Sequence, residues 1–184
     1  MVEKQECTFY SGGLKGAETY FGEMAEKYGI NEVNFTFAGR TPDRNKNVVE
    51  LADEELKRGD ISMDLVSNMM RRNYYEAEKI RKVLQIIFHM VNNGHQIFVV
   101  GIILDDNTVK GGTGWAVELA KLFNRPVHVY GQLRKKWHTW KDGAWVEDDP
   151  KIEHTTFVGS GTRNLTEDGK KAIEDLFAKS FGHE

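Results

Sequence analysis

The stretch Gln96-Ile97-Phe98-Val99-Val100-Gly101-Ile102-Ile103-Leu104 leads through Asp105-Asp106-Asn107-Thr108-Val109-Lys110 into Gly111-Gly112-Thr113-Gly114, and then into Trp115-Ala116-Val117-Glu118-Leu119-Ala120. Its first nine residues are apolar and largely β-branched, the pattern of a parallel strand covered on both faces. Ala116, Val117, Leu119, Ala120, Leu122 and Phe123 recur at the spacing of a helix with one apolar face. Between the two, Gly111, Gly112 and Gly114 permit positive φ and close approach by a ligand. The first free N–H groups of the helix point outward at the positive end of its dipole, which makes an anion site, most often for phosphate. A tight strand-to-helix connection that binds nothing is the alternative, because Gly-Gly-x-Gly alone is a weak signal.

The same plan recurs on either side. Glu6 to Tyr10 reads as a strand, Ser11-Gly12-Gly13-Leu14-Lys15-Gly16-Ala17-Glu18 as a turn, and the residues to Tyr28 as a helix with Ala17, Tyr20, Phe21, Met24 and Ala25 on one face. Gly29 suits a C-cap, and Glu32 to Phe37 alternates as a strand does. Near the other end, Thr155-Thr156-Phe157-Val158-Gly159-Ser160-Gly161-Thr162-Arg163 is a third strand that ends in glycines before a helix carrying Ala172, Ile173, Leu176 and Phe177. A helix to about Asn92 and a strand Val127–Tyr130 complete the pattern. The expected fold is α/β: a three-layer Rossmann-like sheet, mostly parallel, in one domain over 1–184. Residues 38–67 are expected to be a helical insertion. Residues 133–150 are expected to hold an inserted Trp-rich β-hairpin, because Asp142-Gly143 suits a type I′ turn between Trp137, Trp140 and Trp145. In an open α/β sheet such glycine turns gather along one edge, where ligands bind.

A net charge of -3 gives no overall attraction to nucleic acid or acidic lipid, so neither is expected as a partner. Arg134-Lys135-Lys136 beside Trp137 and Trp140 is the one patch that could oppose this. The single Cys7 excludes an intrachain disulfide and fits a reducing cytoplasm. No apolar run reaches membrane-spanning length, so the expected location is cytoplasmic. The six histidines show no spacing that sets two ligands on one helical face; no metal is expected, and the motifs call for no cofactor. His128, in an apolar strand, reads as a satisfied core histidine. No serine lies in a Gly-x-Ser-x-Gly elbow. Met69 and Met70 read as core. Arg40 and Arg44 could reach an anion, but exposed arginines are usually only solvated. Arg71, Arg72 and Asn73, at the expected entrance to a long helix, could grip a phosphate, or Arg71 and Arg72 could pair at the surface with Glu76 or Glu78.

Gly111-Gly112-Thr113-Gly114-Trp115-Ala116-Val117-Glu118 resembles the Gly-Gly-x-Gly-Thr-x-x-Glu signature of the SLOG superfamily, which holds the lonely-guy phosphoribohydrolases and the DNA-processing protein A fold. Ser11-Gly12-Gly13-x-x-Gly16-Ala17-Glu18 is similar to a Ser-Gly-Gly-x-x-Gly-Ala-Asp turn of the same group, and Val158 to Arg163 to its Gly-x-Gly-Ser-Arg strand end. In those relatives the Gly-Ser-Arg element comes first; here it comes last, which implies a circular permutation that sets the C-terminal strand and helix beside the N-terminal strand. The resemblance covers about half the chain. Trp115 stands where the family has threonine. The resemblance implies a catalytic glutamate at Glu118, an arginine of the preceding helix at Arg71 or Arg72, and a homo-oligomer.

Two functions follow. In the first, an enzyme hydrolyses the N-glycosidic bond of a nucleotide or nucleotide-sugar. Glu118 and Arg72 would be catalytic there, and Ser11, Gly12, Gly13, Gly16, Glu18, Arg71, Asn73, Gly111, Gly112, Thr113, Gly114, Gly161, Thr162 and Arg163 would bind the ligand. In the second, a module sequesters a nucleotide or an ADP-ribose-like signal without turning it over, with the tryptophan hairpin as a lid; Trp137, Trp140 and Trp145 could stack on a base, though such tryptophans more often form a small satellite core that steadies a hairpin. The alternative for Glu118 is a helix-surface residue paired with Lys121 or Lys110.

Overall fold

β4 (Gln96–Gly101) is buried along its whole length, as an unbroken apolar run requires. Its side chains alternate between two cores, Ile97 and Val99 in one and Phe98 and Val100 in the other. The computed structural model describes residues 1–75 and 77–183. Among these, eight strands form one mostly parallel sheet and, with six α-helices, an α/β protein.

The strand order is β3 (Val48–Leu51), β2 (Asn31–Phe37), β1 (Thr8–Ser11), β8 (Thr156–Gly161), β4, β5 (Val127–Gly131), β6 (Lys136–Lys141), β7 (Ala144–Glu147). The first six are parallel; β6 and β7 join antiparallel at the edge. The first core lies under α2 (Asp53–Lys57), α3 (Asp60–Met70), α4 (Glu78–Asn93) and α5 (Thr113–Leu122), where Leu56, Met63, Leu84 and Leu119 are fully enclosed. The second lies under α1 (Ala17–Lys27) and α6 (Glu167–Phe181) and is aromatic, with Phe9, Phe21, Phe157 and Phe177 in mutual contact. The inward faces expected for α1, α5 and α6 are largely the observed ones; Tyr20, Leu122 and Phe123 are only partly buried. Thr166 caps α6 by accepting from the Gly169 N–H at 3.1 Å, and Gly29 closes α1 at φ +67.

Several expectations need correction. Residues 38–67 are not wholly helical: Val48–Leu51 pairs parallel to β2 as the edge strand, and half-exposed Val48 and exposed Val49 hide the alternation that a buried strand would show. β4 stops at Gly101, and the chain turns back on itself through a bridge between Ile103 and Val109. Arg71 does not start a helix; it ends α3 in the left-handed conformation, at φ +55. Met70 is core, but Met69 is 51% exposed. Glu76 and Glu184 lie outside the described residues.

His128 is held as a neutral core residue by a fixed chain of donors. The Gln96 side-chain N–H2 donates to the Lys151 carbonyl at 2.9 Å while its oxygen accepts from the Glu153 N–H at 2.9 Å, so the amide cannot rotate. That amide nitrogen also faces His128 Nε2 at 3.0 Å, which makes Nε2 an acceptor and leaves the proton on Nδ1, where Thr139 Oγ1 accepts at 2.7 Å. Burial pushes the His128 pKa down to about 4.

Candidate functional site

Because β1, β8 and β4 are neighbours and parallel, their C-terminal turns leave the sheet on the same edge. Gly12, Gly161 and Gly112, one from each turn, line a single cavity of about 410 Å³. One wall is apolar, built from Leu14 and from Val83, Leu84, Ile87 and Met90 on α4. The remainder is polar and includes Glu18, Arg40, Lys110, Thr113, Thr162 and Arg163. Gly111 lines it as well.

The glycines differ in what requires them. Gly161, at φ +150, lets the backbone of β8 pass the end of β4, where a Cβ would fall 2.3 Å from the Val100 carbonyl oxygen. A Cβ on Gly16 would fall 2.4 Å from the Thr162 oxygen and one on Gly114 would fall 2.1 Å from that of Val109, so both serve the protein's own packing. Gly112 is different. Its φ of -60 and ψ of -30 suit any residue, and a Cβ there would meet nothing within 4 Å. Packing does not require a glycine at 112, although its place as the N-cap of α5 suits one, and the open space there admits close approach from outside. The two helix starts differ in the same way. At α1 the Ala17 N–H donates to the Thr162 carbonyl at 2.9 Å, so the protein itself fills that position. At α5 the N–H groups of Gly112 and Thr113 have no acceptor among the described residues.

Glu18 is the acid of the cavity. It is 3% exposed, with Oε1 accepting from Ser160 Oγ at 3.0 Å and Oε2 from the Leu14 N–H at 2.8 Å. Burial raises its pKa, against the opposing pull of those donors, Arg40 and the Gly12 N–H. Arg40 reaches the same cavity from the loop after β2: its Nη2 donates to the Gly12 carbonyl at 2.8 Å and its Nη1 to Thr36 Oγ1 at 3.1 Å and the Phe35 carbonyl at 3.3 Å. Arg44 anchors that loop. Its guanidinium crosses α1 over Gly22, where a Cβ would fall 2.3 Å from Arg44 Cδ, and forms a two-pronged ion pair with buried Glu32, one prong at 2.8 Å. The Arg44 N–H donates to the Gly13 carbonyl at 3.0 Å, which ties the loop to the β1 turn.

Of the residues expected to form the site, Gly12, Glu18, Gly111, Gly112, Thr113, Gly161, Thr162 and Arg163 line the cavity and the others do not. Ser11 is buried beneath it, its hydroxyl donating to the Gly159 carbonyl at 3.1 Å. Gly13 faces the 42–44 loop, not the cavity. Arg72 turns inward upon the protein: Nη1 donates to the Gly111 carbonyl at 2.9 Å, and Nη2 to the Val109 carbonyl at 3.1 Å and to Thr108 Oγ1 at 3.3 Å. It holds the glycine turn. Arg71 is an exposed helix cap, and Asn73 Oδ1 accepts from the Tyr75 N–H at 2.9 Å. Glu118 is paired at 2.7 Å with Lys121, but at 7% exposed it is buried and not the surface residue that the pairing reading expected. Lys121 Nζ in turn sits 3.7 Å from the Trp140 ring centre and 5.0 Å from that of Trp145. The tryptophans are therefore not a lid. Trp137 is buried, and Trp145 Nε1 donates to the Asn107 carbonyl at 2.9 Å, which fastens β7 to the loop before the glycine turn.

Arg40, Lys110, Ser160 and the α4 wall line the cavity without being among the residues expected to bind the ligand. The signal for Arg40 was its place just past the C-terminal end of a strand neighbouring β1, which becomes informative only once the strand order is known. Comparison of the chain with protein-family models, with curated proteins and with solved structures gives no match.

Proposed function

We propose that the chain binds a nucleotide or nucleotide-sugar in this cavity, with a phosphate at the Gly112 and Thr113 amides and an apolar ring system against α4. The observation that carries the proposal is Gly112: a glycine that the chain's own packing does not call for, beside two amides without protein acceptors, on a cavity where three glycine turns meet. The fold is read as a three-layer Rossmann-like sheet with β6 and β7 as a tryptophan-rich hairpin, and the chain as a circularly permuted SLOG-type domain. Parallel pairing of β1 with β8 and contact of α1 with α6 support the permutation. Ile61, Leu65 and Met69, exposed at four-residue spacing on α3, support a homo-oligomer.

Capture without turnover is the reading the geometry favours, because both groups expected to act on the ligand, Glu118 and Arg72, are engaged by the protein and stand outside the cavity lining. Hydrolysis of the N-glycosidic bond is the second reading, and one observation favours it: Glu18 is a buried carboxylate on the cavity wall whose pKa burial raises, as a general base requires. Mass spectrometry of small molecules released on denaturing the purified protein tests the first reading, with an intact nucleotide expected. Release of free base from added nucleoside monophosphates, lost in Glu18→Gln and kept in Glu118→Gln, would establish the second instead. Recovery of no nucleotide, with no binding of added ones, would overturn both.

A further inference from the structure

The charges around the cavity are unequal in sign. Arg40, Lys110 and Arg163 line it against one acid, Glu18, in a chain whose net charge is -3. Among the described residues none of these three cations forms an ion pair, although most charged lysines elsewhere on the α6 face and the β6–β7 edge do.

Arg40 is half-buried and fixed. Its contacts with the carbonyls of Gly12 and Phe35 and with Thr36 Oγ1 occupy three of its five N–H groups, leaving two for a ligand. Its pKa is lowered, by burial first and with Arg163 adding to the effect, while Glu18 and Asp43 oppose it. Two guanidiniums thus line one cavity, with no ion pair to a carboxylate among the described residues. An anion set between them would offset both the partial loss of hydration and the mutual repulsion.

This position is distinct from the α5 amides. Arg40 donates to Gly12 at the end of β1, whereas Gly112 follows β4, and β8 lies between. Strands are spaced about 4.8 Å apart, so the ends of β1 and β4 are separated by roughly 10 Å. We propose that Arg40 and Arg163 form a second anion subsite, so that the ligand is a nucleotide carrying two phosphate groups. The inference rests on the nucleotide reading above and sets the phosphate count that reading leaves open.

Isothermal titration calorimetry of the full chain tests it, using adenosine and uridine 5′-monophosphates, 5′-diphosphates and 3′,5′-bisphosphates, with inorganic phosphate and pyrophosphate as controls. In the wild type a two-phosphate nucleotide should bind at least about tenfold more tightly than its monophosphate. Arg163 is exposed, so Arg163→Gln should fold normally and remove most of that advantage. Equal affinity for one and two phosphates, or an advantage that survives Arg163→Gln, overturns the subsite. If no nucleoside series binds but pyrophosphate still exceeds phosphate in an Arg163-dependent way, the subsite stands and the nucleotide reading fails. If nothing binds, both fail.

Discussion

Replacing Gly112 by alanine separates a ligand-facing glycine from a structural one. The backbone there is already helical, at φ -60 and ψ -30, so alanine meets no torsional strain. Its methyl group would contact no protein atom within 4 Å. Restricting the unfolded chain favours alanine by about 0.4–1 kcal/mol, while its poorer fit at the start of a helix takes back some tenths. The net stability of Gly112→Ala should therefore stay within about 1 kcal/mol of wild type. The same methyl group projects into the space where an anion would meet the Gly112 and Thr113 amides. Displacing it by even a fraction of an ångström should weaken nucleotide binding roughly tenfold to a hundredfold. Gly114→Ala, two residues on, should behave in the opposite sense. Its Cβ would fall 2.1 Å from the Val109 carbonyl oxygen and 2.7 Å from Arg72 Nη1, and a clash with backbone should destabilise the protein by about 1–3 kcal/mol. Urea denaturation of both variants, with calorimetric titration of the tightest-binding nucleotide, gives the comparison. Unchanged affinity in Gly112→Ala, or a loss of stability matching that of Gly114→Ala, would refute the reasoning.

Three further outcomes are expected. Arg72→Ala removes three hydrogen bonds that hold the glycine turn and should lower stability by about 2–4 kcal/mol, with lysine a poor substitute; a stable variant that has lost only affinity would show that Arg72 serves the ligand. Arg44→Ala leaves Glu32, whose side chain is 1% exposed, without its counter-charge and should cost about 3–5 kcal/mol in denaturation experiments; unchanged unfolding would exclude that role for the pair. His128, with a folded pKa near 4 against an ordinary 6.5, takes up its proton more readily when unfolded. Its contribution is therefore complete above about pH 6.5 and is lost as the pH falls toward 4, a loss of roughly 3 kcal/mol. Nuclear magnetic resonance titration of the ring should show this low value, and Gln96→Glu should raise it; a wild-type ring titrating near 6.5 would rule the account out.

The elements with strong periodicity were legible before any coordinates. Buried strands such as Phe98–Val100 and helices such as 167–181 announce themselves because one face is committed to the core, and glycines punctuate their ends. Val48–Leu51 was not legible, because an edge strand of four residues with exposed Val49 and Glu50 carries no such commitment. At the cavity, the turns could be read but the direction of side chains could not. Glu118 and Arg72 have the right chemistry and lie near the right turn, yet one faces Lys121 and the other the carbonyls of Val109 and Gly111. Those orientations depend on β6, β7 and the 105–110 loop, which are distant in sequence or irregular in shape. For Arg40 the converse holds: nothing local separates a solvated arginine from an anion-binding one, and only the adjacency of β2 and β1 brings it to Gly12.

The place of β8 has a consequence for how the molecule is assembled. It is the last of the eight described strands along the chain, yet it sits between β1 and β4. Until residues 156–161 emerge from the ribosome, β3-β2-β1 and β4-β5-β6-β7 are two separate ribbons, each with a bare inner border. Closing the sheet means threading one late segment between two early ones, a non-local event of the kind that slows folding and leaves sticky borders open meanwhile. The cavity, one of whose three turns comes from that segment, can come into being only once that segment has inserted.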